Sequence, residues 1–365
     1  MSNIIGNNIK LLVFGESHGP YIGASLDNVP AGIKIDYELI DSFLSKRRPS
    51  KKSDTKRCEK DEYQFISGVK DGYTTGSPLT VIIPNKDIDD TNYDKNRSLP
   101  RPSHADYTSL MKYHGFNDTR GGGHFSGRIT ASIVIIGAIL YSALKDKGIS
   151  INSHILKIGN VSDENYLNNQ NIDLSNIDKH NYPTIKDLDK EINASIELAK
   201  ENNDSIGGII QTIITNLPVG LGEPMFDSLE SSLSKALFGI GAIKGIEFGQ
   251  GFNFANLTGK EANDELYYDI NGEVKTKTNN NGGINGGISN GMPVIFNCAV
   301  KPTPSISKAQ NTINLETKQN DVILIEGRHD PSIVRRINIV IKAISSIIIF
   351  DNLLILKGYD YFCTK

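Results

Sequence analysis

At 365 residues the chain is long enough to bury a substantial core, and length alone suggests about two domains. Its net charge of −3 excludes a global field that favours nucleic acid, so any basic patch must be local. Three cysteines (Cys58, Cys298, Cys363) share no CxxC spacing and indicate neither a disulfide frame nor a zinc site.

The opening MSNIIGNNIK lacks the charged start and apolar run of a signal peptide. Ile9 to Phe14 reads as a short strand ending at Gly15. Next comes GESHG, Gly15 to Gly19, which matches the G-x-S-x-G of a hydrolase elbow. Pro20 follows at once, and too little chain precedes Ser17 for a hydrolase sheet. A turn exposing Glu16, Ser17 and His18 is the better reading, with strand and turn resuming at Tyr21. Asp36 is placed to cap a helix through Leu39, Ile40, Phe43 and Leu44. That helix ends in Lys46-Arg47-Arg48-Pro49, with Lys51, Lys52, Lys56 and Arg57 behind it. The first cations suit a helix C-terminus; the others form either a basic loop over an anion or a solvated surface. Strands are expected at Phe65–Val69 and Leu79–Pro84.

Arg101 to Ala131 concentrates the chemistry: His104, His114 and His124 with several arginines and Gly121–Gly123. The glycines lead into an apolar helical pattern from Ile129 to Leu144. Glycine before a helix lets backbone amides approach an anion, and the helix dipole adds positive potential. The plainer alternative is a capped helix after a basic loop.

Asp146 to about Lys190 reads as a peripheral strand with long surface connections, its His154 and His180 incidental to chemistry. A helix near Leu188–Glu201, a strand at Gly208–Asn216 and a helix from Phe226 to Leu237 follow. GIGAIKG, Gly239 to Gly245, looks like a dinucleotide fingerprint but follows a helix and precedes a strand, the reverse of a Rossmann turn. It reads instead as backbone packed against a flat ligand or another chain. NNNGGINGGISNGMP is too glycine-dense for regular structure, and a linker is one reading. The strand VIFNCAV and the loop KPTPS, Lys301 to Ser305, then offer hydroxyls and a lysine to a phosphate. In EGRHDPSIVRR, Asp330 is placed to cap the last helix with Pro331 at its first position. The apolar tail from Ile337 to Leu356, broken by Lys342 and Asp351, reads as a buried helix and a strand, not a membrane span. With no linker and no regular strand–helix alternation, one α+β domain with helices packed on antiparallel sheets is expected.

Neither HExxH nor HxH occurs, and a Walker lysine motif is absent. What remains is histidine in polar turns (His18, His104), Asp330 beside Arg328 and His329, arginine clamps and glycine loops. Those parts suit an enzyme acting on a small polyanion with a flat phosphorylated cofactor.

The ordered set GESHG, RRP, RPSHADYT, GGGHFSGR, GIGAIKGIEFGQGF, NNGGINGGISNGMP, KPTPS and RHDP strongly resembles chorismate synthase, over nearly the whole chain. The resemblance implies a β-α-β sandwich, helices between two antiparallel sheets, assembled as a homotetramer in the cytoplasm. It implies a 1,4-anti elimination of phosphate from 5-enolpyruvylshikimate 3-phosphate to chorismate, the last common step to the aromatic amino acids, requiring reduced FMN. His18 would be the acid for the leaving phosphate, His104 would serve the flavin near N1, and Asp330 would help remove the C6 proton. Ser17 and Ser126 would support these transfers. Arg48, Gly127, Arg128 and Arg328 would hold substrate. FMN would lie against Arg47, His124, Phe125, Ser126, Gly241, Ala242, Gly286, Lys301, Pro302, Thr303, Pro304, Ser305 and Arg328. NADPH is a candidate reductant, with an outside flavin reductase favoured. Many members read GGGRSSAR where this chain has His124 and Phe125, and Ser53 stands where arginine is common. The competing enzyme class is an NAD(P)-dependent flavin oxidoreductase built on GIGAIKG; a nucleic-acid-binding basic loop is disfavoured by the net charge.

Overall fold

The computed structural model describes residues 3–49, 60–87, 98–325 and 330–363. Expectations that fall on Lys51, Lys52, Ser53, Lys56, Arg57, Arg328 and His329 lie outside these residues.

Five strands near the N-terminus build the first sheet: β1 (Ile4–Ile5), β2 (Lys10–Gly15), β3 (Tyr21–Asp27), β4 (Gln64–Ser67) and β5 (Leu79–Pro84). They run in the order β1-β2-β3-β5-β4, antiparallel throughout. In β5, Leu79, Val81 and Ile83 alternate inward, so one face of this sheet is a continuous apolar surface.

The second sheet consists of β6 (Ser150–Ile158), β7 (Val161–Ser162), β8 (Gly208–Thr215), β9 (Ile243–Phe248) and β10 (Val294–Val300). Its order is β9-β10-β8-β6-β7, also antiparallel. A further hairpin pairs β11 (Ala309–Asn314) with β12 (Gln319–Leu324).

Between the sheets lie α1 (Tyr37–Arg47), α3 (Thr130–Asp146) and the long α6 (Val334–Lys357); α2 (Asp106–Tyr113), α4 (Asp189–Glu201) and α5 (Leu229–Leu237) complete the set used below. Helix α3 packs on β3, β5 and α6, while α6 packs on β6 and β8. The result is the expected sandwich, held by one hydrophobic cluster that runs from β2 and β3 through the helices to β10. Both α3 and α6 are apolar nearly all round because each is enclosed on nearly every side. The two helices approach closely at Gly137, where a Cβ would stand 2.4 Å from Ala343 Cβ.

Polar residues inside α6 have local explanations. Asp351, 2% exposed, accepts from the amides of Asn8 and Ile9 at 2.8 Å each and so anchors the N-terminal segment. The tail is helical to Lys357, with no strand in it.

Three further expectations need correction. Asp330 does not cap α6: Ile333 occupies the cap position, and Asp330 pairs with Arg336 instead. Pro331 therefore lies before the helix, not in its first turn. The glycine run does not open α3, which begins only at Thr130; Gly121, Gly122 and Gly123 take φ of 58°, 83° and 55° in a separate turn. The 146–190 stretch is less peripheral than read, since β6 is buried and Tyr166, Leu167, Ile172 and Leu174 cover Ile213 and Ile295 on the outer face of the second sheet. His154 is fully buried there, bonded to Asp163 at 3.1 Å and Gln211 at 3.2 Å; its role is packing and polar satisfaction.

Candidate active site

Strand β2 delivers the Gly15–Gly19 turn to the rim of the sandwich, and the glycine turn is fitted against it. The Ser17 amide donates to Gly123 O at 3.0 Å, and one ring nitrogen of His124, Nδ1, meets Gly15 O at 2.8 Å. A Cβ on Gly121 would stand 2.4 Å from the His18 ring and 2.8 Å from Ser17 Oγ. Glycine is required there twice over, by positive φ and by this contact. Ser17 and His18 are buried as a result.

The last turn of α1 sends Arg47 inward. Its Nε donates to Thr130 Oγ1 at 3.0 Å, and its NH2 to Gly127 O at 2.9 Å and Arg128 O at 3.2 Å. Arg128 donates from Nε to Asn85 Oδ1 at 3.0 Å. The Asn85 amide in turn donates to Glu16 O at 3.0 Å and Gly19 O at 2.8 Å, tying the guanidinium to the His18 turn.

Asp61 sits among three guanidiniums. It pairs directly with Arg128, with Arg48 at 3.3 Å and with Arg47 at 3.6 Å. Burial by itself would push its carboxyl up, but the charges of Arg47 and Arg128 outweigh that and hold it below the usual carboxylate value of 3.8. The carbonyls left open at the end of α1 are met by the start of α6: Arg336 Nε donates to Arg47 O at 2.9 Å and Arg335 NH2 to Arg48 O at 3.2 Å. Arg336 also pairs with Asp330. Ser126 Oγ accepts from the Arg128 amide at 3.3 Å, and Gly127 is exposed beside it.

A second group forms around His104, whose Nε2 lies 2.7 Å from Ser305 Oγ. Arg101 holds Asp106 through a fork of 2.7 and 2.8 Å, fixing the start of α2 behind His104. Lys301 Nζ donates to Ser103 O at 2.7 Å, and its amide to Ala242 O at 2.9 Å, so the KPTPS loop and Gly241–Ala242 adjoin. Partial burial, then the charge of Lys244, lowers the Lys301 ammonium below its usual value. Ser205 Oγ donates to Thr303 O at 2.6 Å, and the next amide, of Ile206, to Pro331 O at 2.8 Å. That pair of bonds joins the His104 group to the segment carrying Asp330. Pro302 backs the close approach of Gly207, and Pro304 is partly buried between Thr303 and Ser305.

Among the expected site residues, hydrogen bonds thus connect the Ser17–His18 turn, Arg47, Arg48, Arg128, Ser126 and Asp330, and then the group of His104, Ala242, Lys301 and Ser305. Phe125 is half-exposed, its ring 6.4 Å from Tyr113. Gly286 is elsewhere: its hairpin, Ile284–Asn285 with Ile288–Ser289, is held by Leu221 and Leu229. Asp61, Asn85 and Arg336 were missed by sequence reasoning, since an isolated Asp, an isolated Asn and a second helix arginine carry no motif. GIGAIKG joins α5 to β9 of an antiparallel sheet, so it does not form a Rossmann turn and the nicotinamide reading loses its basis.

Comparison with known proteins agrees with this arrangement. The family model described as chorismate synthase matches residues 9–354. A chorismate synthase of Dehalococcoides mccartyi is 44% identical over 355 residues, covering 96% of both chains. That of Methanocaldococcus jannaschii is 41% identical over 378 residues, covering 100% of this chain and 99% of its own. A solved structure, titled as the crystal structure of chorismate synthase, superposes with a TM-score of 0.76 at 27% identity, over 97% of this chain and 94% of that one. The order of its motifs, the two-sheet sandwich and these end-to-end matches lead to one assignment: the chain belongs to the chorismate synthase family.

Proposed function

We propose that the chain eliminates phosphate from 5-enolpyruvylshikimate 3-phosphate to give chorismate, with reduced FMN as cofactor. The observation that carries the reading is the cluster of Arg47, Arg48 and Arg128, held by Asp61 and tied through Asn85 to the His18 turn. A substrate bearing one phosphate and two carboxylates needs fixed cations beside a proton donor.

The residues around His104 suit FMN. Thr303 Oγ1 is buried with no hydrogen-bond partner, open space faces the α-carbon of Gly241, and Lys301 supplies positive charge. Thr303, Ser305, Lys301, Gly241, Ala242 and His104 would hold it, with Ser126 and Phe125 at its edge and Gly286 reaching it only from a neighbouring subunit. When bound, reduced FMN supplies an electron that is lent to the substrate and recovered.

His18 gives its proton to the departing phosphate, and the packed Gly121 leaves its ring little freedom to turn away. Arg48 and Arg128 take the substrate's anionic groups in exchange for Asp61, so their charge is oriented before binding. Asp330 receives the proton lost from C6, its carboxylate aimed by Arg336. His104, held by Ser305, steadies negative charge on the flavin side of the site. Ser17 and Ser126 support the proton network.

We infer a homotetramer from the large exposed side chains near the glycine-rich 239–251 segment, where Phe252 is 85% exposed and Phe238 52%. We also infer a cytoplasmic enzyme that draws reduced flavin from outside, directly or through NADPH: the two helices apolar enough to cross a membrane, Gly127–Asp146 and Val334–Lys357, are mostly buried in the core. The deciding experiment is anaerobic. Protein, substrate and reduced FMN should yield chorismate and phosphate in equal amounts; oxidised FMN should yield neither. Equal product with oxidised flavin would defeat the reading.

A further inference from the structure

A second cavity, of about 90 Å³, opens between α1, the first turns of α6, β6 and the 177–183 segment. Its lining includes Lys46, Asn152, His180, Arg335, Asn338 and Lys342. The charged side chains that line it are Lys46, Arg335 and Lys342 and one carboxylate, Asp178. Lys46 is neutralised by Asp178 at 2.8 Å, the carboxylate of the lining. Arg335 spends a donor on Arg48 O. Lys342 Nζ lies 4.3 Å from the centre of the Tyr141 ring and 5.7 Å from that of Phe43, and it feels the charge of Asp178, a carboxylate already paired with Lys46. Among the described residues it forms no ion pair. Asn338, one turn earlier on the same face of α6 and 6% exposed, has a side-chain nitrogen with no acceptor.

We propose that this cavity is a second oxyanion site, which takes one phosphate or carboxylate group of a small soluble anion on Lys342 and Asn338. A half-buried ammonium packed on rings, without an ion pair among the described residues, and a buried amide without an acceptor are both under-satisfied, and one oxyanion serves both. The volume admits a tetrahedral or planar head group with a water or two, not a nucleotide. The groups facing Lys342 are Lys46 and Lys145 on the cationic side and Asp178 on the anionic side, so the surplus stays positive. His180 is engaged with Asp187 only at 3.9 Å and can turn toward an anion. Burial is the main cause that brings the Lys342 ammonium down to about 8; Asp178 opposes that shift, and Lys46 and Lys145 add to it. Because Arg335 lines this cavity and also donates to Arg48, an anion here would bear on a residue assigned to substrate.

The test is equilibrium dialysis of the full chain against labelled inorganic phosphate, with chloride held at constant ionic strength. Wild type should bind two equivalents per chain, one at the Arg47–Arg48–Arg128 cluster and one here. Asn338→Leu and Lys342→Met should each retain fold by circular dichroism and bind one equivalent. Acetate that displaces half of the bound phosphate marks a carboxylate site; acetate without effect marks a phosphate site. Lys342 acetylation near pH 8, mapped by mass spectrometry, should fall at least fivefold with phosphate in wild type but less than twofold in Asn338→Leu, with exposed Lys200 unaffected. A single equivalent in wild type, or two equivalents retained by Asn338→Leu, overturns the proposal.

Discussion

Arg47 and Arg128, 6% and 7% exposed, are guanidiniums that have given up most of their water. They remain inside because Asp61 opposes both, while Thr130 Oγ1 and backbone carbonyls take further donors of Arg47 and Asn85 Oδ1 takes the Nε of Arg128. Asp61→Asn would keep the shape and remove the anion, leaving three cations facing one another. The expected loss is about 3–5 kcal/mol, as when one partner of a buried pair is deleted. Urea unfolding with an unchanged slope would measure it, and a loss under 1 kcal/mol would mean that solvent screens the cluster. Histidines 18 and 104 are tested by catalysis instead. His18→Ala and His104→Ala should each lower turnover by roughly 10²–10⁴ while flavin still binds, the range for a lost general acid or base. Flavin fluorescence titration beside anaerobic rates separates the two effects, and wild-type rates in both variants would refute the assigned roles.

At the scale of elements, the α3–α6 contact sets the spacing between the sheets. Gly137 lets the helices approach until a Cβ would lie 2.4 Å from Ala343 Cβ and 2.6 Å from its Cα. Both neighbours are backbone or next to it, so neither can swing aside. Gly137→Ala should therefore destabilise by about 1–3 kcal/mol despite its better helix propensity, the usual penalty for overpacking. A neutral or positive change in Tm would show that the helices can part. The main elements were legible in the chain: α1 with its Asp36 cap, β5 as a short strand-like run, α3 and the first part of α6 by their apolar content. The site was legible only where it carries motifs. His18 and the glycine turn stand over 100 residues apart, and their contact depends on how β2 meets the turn after α2. Asp330 looked like a cap because Asp-Pro precedes many helices, yet Arg336, in the first turn of α6, competes for its carboxylate and wins.

Over the whole molecule, stability responds to pH through groups that the sandwich encloses. The folded-state value of Asp61 is depressed, so its contribution is present above the unfolded value of 3.8 and is lost as pH falls through the folded one. Lys342 acts in the opposite range. Its ammonium is brought from 10.5 to about 8, so the unfolded chain binds more protons between those values and stability rises with pH across that window. Below about pH 8 the ammonium is charged in both states and its burial penalty is fully present. Lys342→Met keeps the stem that packs between α1 and α3 and removes the charge, so at pH 7 it should stabilise the fold by about 1–2 kcal/mol. Its Tm should then converge on that of wild type as pH approaches 10, because wild type sheds the same charge by deprotonation. Scanning calorimetry in chloride buffers from pH 7 to 10 checks this, and two parallel curves would show that Lys342 is solvated in the folded protein. Phosphate added at pH 7 should close the same gap from the other direction, by placing a second anion beside the wild-type ammonium, since Asp178 is already paired with Lys46.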